Sequence, residues 1–269
     1  MEQSRVSLSE NGPMPGDDSS ANDSANRSPS LDSLFEPSEA VEESADDAEP
    51  PAWSNKNWLS TGIESLDRYL GGGIPPGRLV AFEAPANTQA ELFVKQVASQ
   101  YDSLYLTTLR PRWEVEEAVR DYIQRAGNLA TNRIDTRVEY LNPESLLKEA
   151  HQHIDRLDGR SVVVVDSVDK IETAAEADYV DFITELKKQL WETGSVGLLH
   201  CIERTNQPPG RPITLQMSDI ILELHRSVQP GSVEYRLLVA KYRGGRALTE
   251  PVKLELTDEI RIDTSRDIA

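Results

Sequence analysis

Thr61-Gly62-Ile63-Glu64-Ser65-Leu66-Asp67-Arg68-Tyr69-Leu70-Gly71-Gly72-Gly73-Ile74-Pro75-Pro76-Gly77 runs straight into Arg78-Leu79-Val80-Ala81-Phe82-Glu83-Ala84-Pro85. A short helix opens the stretch, with Thr61 and Glu64 at capping-box spacing. Three glycines and two prolines stop that helix. The apolar run that follows has the length and bounds of a buried strand. Ala86-Asn87-Thr88-Gln89-Ala90-Glu91 then leads into a helical pattern over 88–100. Thr88 and Glu91 again have capping-box spacing, so the sequence predicts an internal carboxylate folded over the start of this helix.

Downstream, strands and helices alternate. Strands are predicted over 103–108, 137–141, 161–166 and 196–201, and helices over 112–126, 143–157 and 175–191. Such alternation implies a parallel sheet covered by helices on both faces. Val162-Val163-Val164-Val165 marks a central strand buried on both sides. After Met217 the hydrophobic period changes to two, over 219–224, 233–239, 252–256 and 260–262. That change predicts a closing antiparallel β-meander. The fold class expected is α/β.

Outside this core the composition shifts. The 269 residues carry 28 bases and 46 acids, a net charge of −18. Residues 1–52 are rich in Ser, Asp, Glu, Asn and Pro and cannot bury enough apolar surface to offset ordering entropy. They read as a disordered acidic tail, and residues 53–269 as one domain. The acidic excess argues against non-specific binding to nucleic acid or anionic membrane, without excluding a local basic patch. No apolar run approaches the ~18 residues of a membrane span. The first residues hold no signal-peptide core, so a cytoplasmic protein is expected. Cys201 is the only cysteine, which excludes an internal disulfide and a thiolate metal cluster. The bases are mostly arginine, and an acid-rich, lysine-poor chain suits a high-salt, halophilic source.

The stretch 61–85 resembles the opening segment of RecA-superfamily ATPases of the KaiC/RadA type, and weaker matches continue in that family's order to about residue 263. A halophilic archaeal member fits the composition. The resemblance implies a RecA-like P-loop NTPase fold. It also implies a phosphate loop over Ala84, Pro85, Ala86, Asn87, Thr88, Gln89, Ala90 and Glu91. The family's glycines fall on Ala84, Asn87 and Gln89, its lysine on Ala90 and its Mg²⁺-binding hydroxyl on Glu91. Each group that would cradle ATP is therefore replaced. The family's paired catalytic glutamates fall on Leu109 and Arg110. Asp166 and Ser167 match its Walker B strand end, where Asp166 either faces Mg²⁺ or caps the next turn. Lys241 and Arg243 match the cations that relatives project into a neighbouring subunit, and a solvated basic strand end is the other reading.

These departures predict a pseudo-ATPase with no bound cofactor. It would act through protein partners, as a homo-oligomer or with an active RecA/KaiC-family ATPase. The alternative is an ATP- and Mg²⁺-dependent family member in recombination, repair or signalling with an atypical loop. The loop over 203–212 has two arginines and no aromatic residue for base stacking, and reads as exposed. His151 and His153 diverge on a helix and cannot share a metal, and no metal site is expected. Trp113, Trp191 and Cys201 are expected to pack.

Overall fold

The computed structural model describes residues 58–125, 135–142, 145–156, 160–245, 250–256 and 260–262. The acidic tail over 1–52 lies outside the described residues. One nine-stranded sheet organises the chain, in the order β3-β2-β4-β5-β1-β6-β7-β8-β9. Its strands are β1 Leu79–Pro85, β2 Ser103–Thr107, β3 Thr136–Tyr140, β4 Val162–Asp166, β5 Val196–Glu203, β6 Ile220–Gln229, β7 Ser232–Tyr242, β8 Val252–Leu256 and β9 Ile260–Ile262. The first six in spatial order are parallel, and β7 to β9 add antiparallel strands to the β6 edge.

The valine run shows why the sheet is covered on both faces. Val162 and Val164 enter the core beneath α2 (Ala90–Ala98) and α3 (Arg112–Arg125). Val163 and Val165 enter the opposite core, with Phe182, Ile183, Leu186 and Leu190 of α5 (Glu176–Thr193). Successive strand residues point to opposite faces, so an unbroken apolar run requires two apolar layers. Helix α4 (Leu146–Ile154) contributes Ala150 and Ile154 to the second core. It is shorter than the predicted 143–157, whose ends reach beyond the described residues.

At the start of the chain the expected Thr61–Glu64 box is not formed. Helix α1 spans Glu64–Tyr69, and Ile63 occupies its N-cap position. Glu64 therefore sits one residue into the helix and pairs with Arg68 at 2.8 Å. Asp67 closes the turn instead. Its Oδ1 accepts from the Thr61 backbone N–H and the Thr61 hydroxyl, each at 2.7 Å. Behind α1, Leu59 and Ile74 exchange two 2.7 Å backbone bonds. Gly73 has φ +121°, and a Cβ there would stand 2.3 Å from the Leu59 carbonyl oxygen. Gly73→Ala is thus expected to cost about 1–3 kcal/mol. Thermal unfolding should show it as a drop of several degrees in Tm; an unchanged Tm would mean that this turn does not constrain the fold.

Candidate functional site

The sequence-predicted residues 84–91, Leu109, Arg110, Asp166 and Ser167 lie at or just past the carboxyl ends of β1, β2 and β4, whereas Lys241 and Arg243 lie at the opposite edge, beside the start of β6. In β1, Pro85 is followed by a tight turn. The Thr88 N–H and hydroxyl both donate to the Pro85 carbonyl, at 3.1 and 2.7 Å. These bonds hold Thr88 in the turn, one residue before the helix cap. Gln89 becomes the N-cap of α2, with no side-chain cap bond, and Glu91 falls at the second helical position. The predicted Thr88–Glu91 box is therefore not formed. Glu91 still lies in the first turn, where a negative charge is favourable with the helix dipole.

Register brings Thr107 of β2, Asp166 of β4 and His200 of β5 side by side. The Asp166 carboxylate is buried and holds three donors. Arg110 Nη2 lies 2.8 Å from Oδ2, the Tyr105 hydroxyl 2.5 Å from Oδ2, and His200 Nδ1 2.7 Å from Oδ1. Burial pushes the Asp166 carboxyl up, but the His200 bond and charge, the Tyr105 bond and the Arg110 charge outweigh it. They hold it well below the usual carboxylate range. Burial and the adjacent carboxylate push the Tyr105 phenol well up.

Arg110 is positioned by its own backbone. Its N–H donates to Thr107 Oγ1 and its carbonyl accepts from that hydroxyl, at 3.3 and 3.0 Å. The Arg110 cation thus folds inward onto the Asp166 carboxylate. Leu109, beside it, is exposed. Ser167 is buried, and its hydroxyl finds no hydrogen-bond partner among the described residues. On α2, Lys95 is almost fully buried, and burial lowers its ammonium pKa; the nearby charges are Glu91, Arg110 and Asp166. Sequence reasoning missed Tyr105 and His200. Each reads as an ordinary strand residue until the register of β2 and β5 against β4 is known.

Within the chain, Lys241 and Arg243 bond to backbone carbonyls of a neighbouring helix. Lys241 Nζ donates to the carbonyls of Leu215 and Gln216, at 2.8 and 2.9 Å. Arg243 Nη2 donates to Gln216 at 3.3 Å. Both cations close the C-terminal end of α6 (Arg211–Met217), where positive charge is favoured.

The loop over 203–212 is not simply exposed. Arg211, its last arginine, starts α6 and is 0% exposed. Its guanidinium forks onto Glu172, with Nε to Oε1 at 2.8 Å and Nη2 to Oε2 at 2.9 Å. Glu83 lies 3.2 Å from Nη1 and Asp169 Oδ1 3.3 Å from Nη2. Thr214 donates to Glu172 and stands 2.6 Å from the Tyr179 hydroxyl. Glu172 and Asp169 belong to the 3-10 turn Val168–Thr173, which closely follows β4. One buried network therefore ties the end of β4 to the end of β1 and the start of α6. Trp113 and Trp191, expected to pack, are 66% and 41% exposed. Cys201 is fully buried, and burial pushes its thiol well up. Among the described residues no helix is long and apolar enough to cross a membrane.

The fold is shared with a KaiC-like protein, PH0186, from the hyperthermophilic archaeon Pyrococcus horikoshii OT3. The two superpose with a TM-score of 0.60 at 16% identity, over 76% of this chain and 98% of that one. No curated protein matches the sequence significantly. The RecA-type architecture, with its parallel sheet and antiparallel C-terminal strands, is thereby shown. A family model described as "Family of unknown function (DUF7125)" matches residues 58–269, and the chain belongs to that family.

Proposed function

We propose that this chain is a non-catalytic relative of KaiC/RadA-type ATPases, acting in the cytoplasm through protein–protein contacts. It would serve as a regulatory or partner subunit, in a homo-oligomer or beside an active family member. One observation carries the reading: Arg110 occupies Asp166. In a working site the carboxylate faces a metal and the nucleotide phosphates. Here a guanidinium at 2.8 Å supplies the positive charge from within the chain. The phosphate-loop position does not fit ATP and Mg²⁺ either. Asn87 and Gln89 put bulkier side chains where the resembled family has glycines, Ala90 supplies no ammonium and Glu91 adds like charge. Leu109 and Trp113, both exposed beside this edge, give it apolar surface suited to a protein contact.

A second reading, nucleotide binding through an atypical loop, draws on Lys95, a buried cation in the helix that follows the loop. One assay separates the two. The full-length protein with Mg²⁺ and ATP is expected to show neither saturable ATP binding nor hydrolysis above background. Hydrolysis that vanishes in Asp166→Ala would overturn the non-catalytic reading.

A further inference from the structure

Strand β3 is one edge of the sheet, and among the described residues no strand pairs with its outer side. The Asp135 carbonyl accepts from the Ser103 N–H, and the Leu141 N–H donates to the Thr107 carbonyl. Both groups face β2. Main-chain direction alternates along a strand, so the N–H and C=O groups of Thr136, Val138 and Tyr140 face outward. An edge of this kind is a template for another strand.

The side chains of this edge are complementary to themselves. Two copies of β3, paired antiparallel about a two-fold axis at Val138, set Val138 opposite its own copy and Thr136 opposite Tyr140. These are the outward-facing residues, so each such pair exchanges its backbone bonds. Arg137 then stands opposite Glu139 of the second copy, and Glu139 opposite its Arg137. Those are the closely spaced pairs, where opposite charges attract. An axis at Arg137 or at Glu139 would set like charges face to face. Arg137 has capacity for this contact. Its Nη2 donates to the His153 carbonyl at 3.4 Å, but its Nε, shielded from solvent, has no hydrogen bond among the described residues. Glu139 Oε1 of the same strand is 4.0 Å from it.

The other side of the strand is matched as well. Between α3 and β3 runs a groove of about 400 Å³, lined by Val119, Ile123, Thr136 and Val138 and rimmed by Glu116 and Arg120. Tyr140 is 42% exposed. The pairing carries it to Thr136 of the second copy, at the mouth of that copy's groove.

We propose that the outer edge of β3 joins two copies of this chain into a two-fold dimer with one continuous sheet. This dimer gives the homo-oligomer of the proposed function its interface, and rests on that part of the reading.

Sedimentation of the full-length protein across a concentration series, at fixed ionic strength, tests it. A monomer–dimer equilibrium is expected. Arg137→Glu and Glu139→Arg should each weaken the dimer about tenfold or more, because both symmetric pairs turn repulsive. The double variant Arg137→Glu, Glu139→Arg reverses both charges and restores attraction, so its dimer should return to within about threefold of the parent. Tyr140→Ser, at an exposed side chain whose loss leaves the fold intact, should weaken the dimer several-fold. The dimer is overturned by a parent protein that stays monomeric, by association indifferent to the single charge changes, or by a double variant no better than the single ones. A ring or filament that the charge changes leave unaltered overturns it too. None of these outcomes involves ATP. A monomer without ATPase activity would remove the dimer and leave the non-catalytic reading in place.

Discussion

Arg211→Met is expected to destabilise the fold by about 3–5 kcal/mol at neutral pH, a large share of its total stability. Methionine fills most of the volume but removes the cation from a site where Arg211 and Glu172 are both 0% exposed and Asp169 is 3% exposed. Breaking one partner of a buried pair costs about 3–5 kcal/mol, because the remaining charge stays desolvated. Domains of this size have only about 5–15 kcal/mol in total. The sign of the pH dependence is a second mark. Burial already holds the Glu83 carboxyl above its ordinary value, and the Arg211 charge and hydrogen bond work against that rise. Without Arg211 the folded-state value climbs further above the unfolded one. A carboxyl raised in this way supports the fold below its unfolded pKa, about 4.3 for glutamate, and that support is lost as pH rises through the folded value. The variant should therefore regain stability as pH is lowered from 8 toward 5. Denaturant titrations at the two values measure it. The double variant Arg211→Met, Glu172→Met should recover only part of the loss, since it removes the fully buried carboxylate but leaves Asp169 and Glu83 without the Arg211 charge. A single variant as stable as the parent would mean that the network is not buried in solution.

The contrast between Arg211 and the valine run shows what a sequence makes legible. Val162–Val165 can be read because burial on two faces leaves a local mark, four apolar residues in succession. The strand, turn and helix around residues 84–91 could be read in the same way, from the end of one apolar run and the start of the next helical pattern. Arg211 leaves no such mark. It follows Gly210 in a run of polar residues and prolines, and its burial depends on Glu172, 39 positions away. His200 is similar: it joins Asp166 only because β5 lies beside β4 in register. The two capping boxes failed for another reason. The spacing was right, but a single hydrogen bond decides where a helix starts. Asp67 took Thr61, and the Pro85 carbonyl took Thr88. The helix caps then fell two residues after Thr61 and one after Thr88, which moved Glu64 and Glu91 out of the third helical position that a capping box needs. Lys241 and Arg243 were visible as a basic strand end, but α6, whose carbonyls they close, was not.

Asp166→Ala should destabilise the protein by about 3–5 kcal/mol, which separates a structural carboxylate from one kept for a metal. In this chain the carboxylate accepts from Tyr105 and His200 and pairs with Arg110. Removing it strands a fully buried phenol, a cost of about 1–3 kcal/mol by itself. It also leaves the Arg110 guanidinium half-buried without its partner. Arg110→Ala should cost less, about 1 kcal/mol, because that side chain retains solvent and Asp166 keeps two donors. The pH profile follows from the lowered Asp166 pKa. A carboxyl depressed in the folded state contributes stability that is present above its unfolded value, about 3.9 for aspartate, and lost as pH falls through the folded one. The gap between parent and Asp166→Ala should hold steady from pH 8 to about 5 and narrow below about 4. Urea midpoints with an unchanged slope measure it directly. If Asp166→Ala is as stable as the parent across that range, the three donors do not hold the carboxylate. It would then be free to face a metal, and the non-catalytic reading would lose the observation on which it stands.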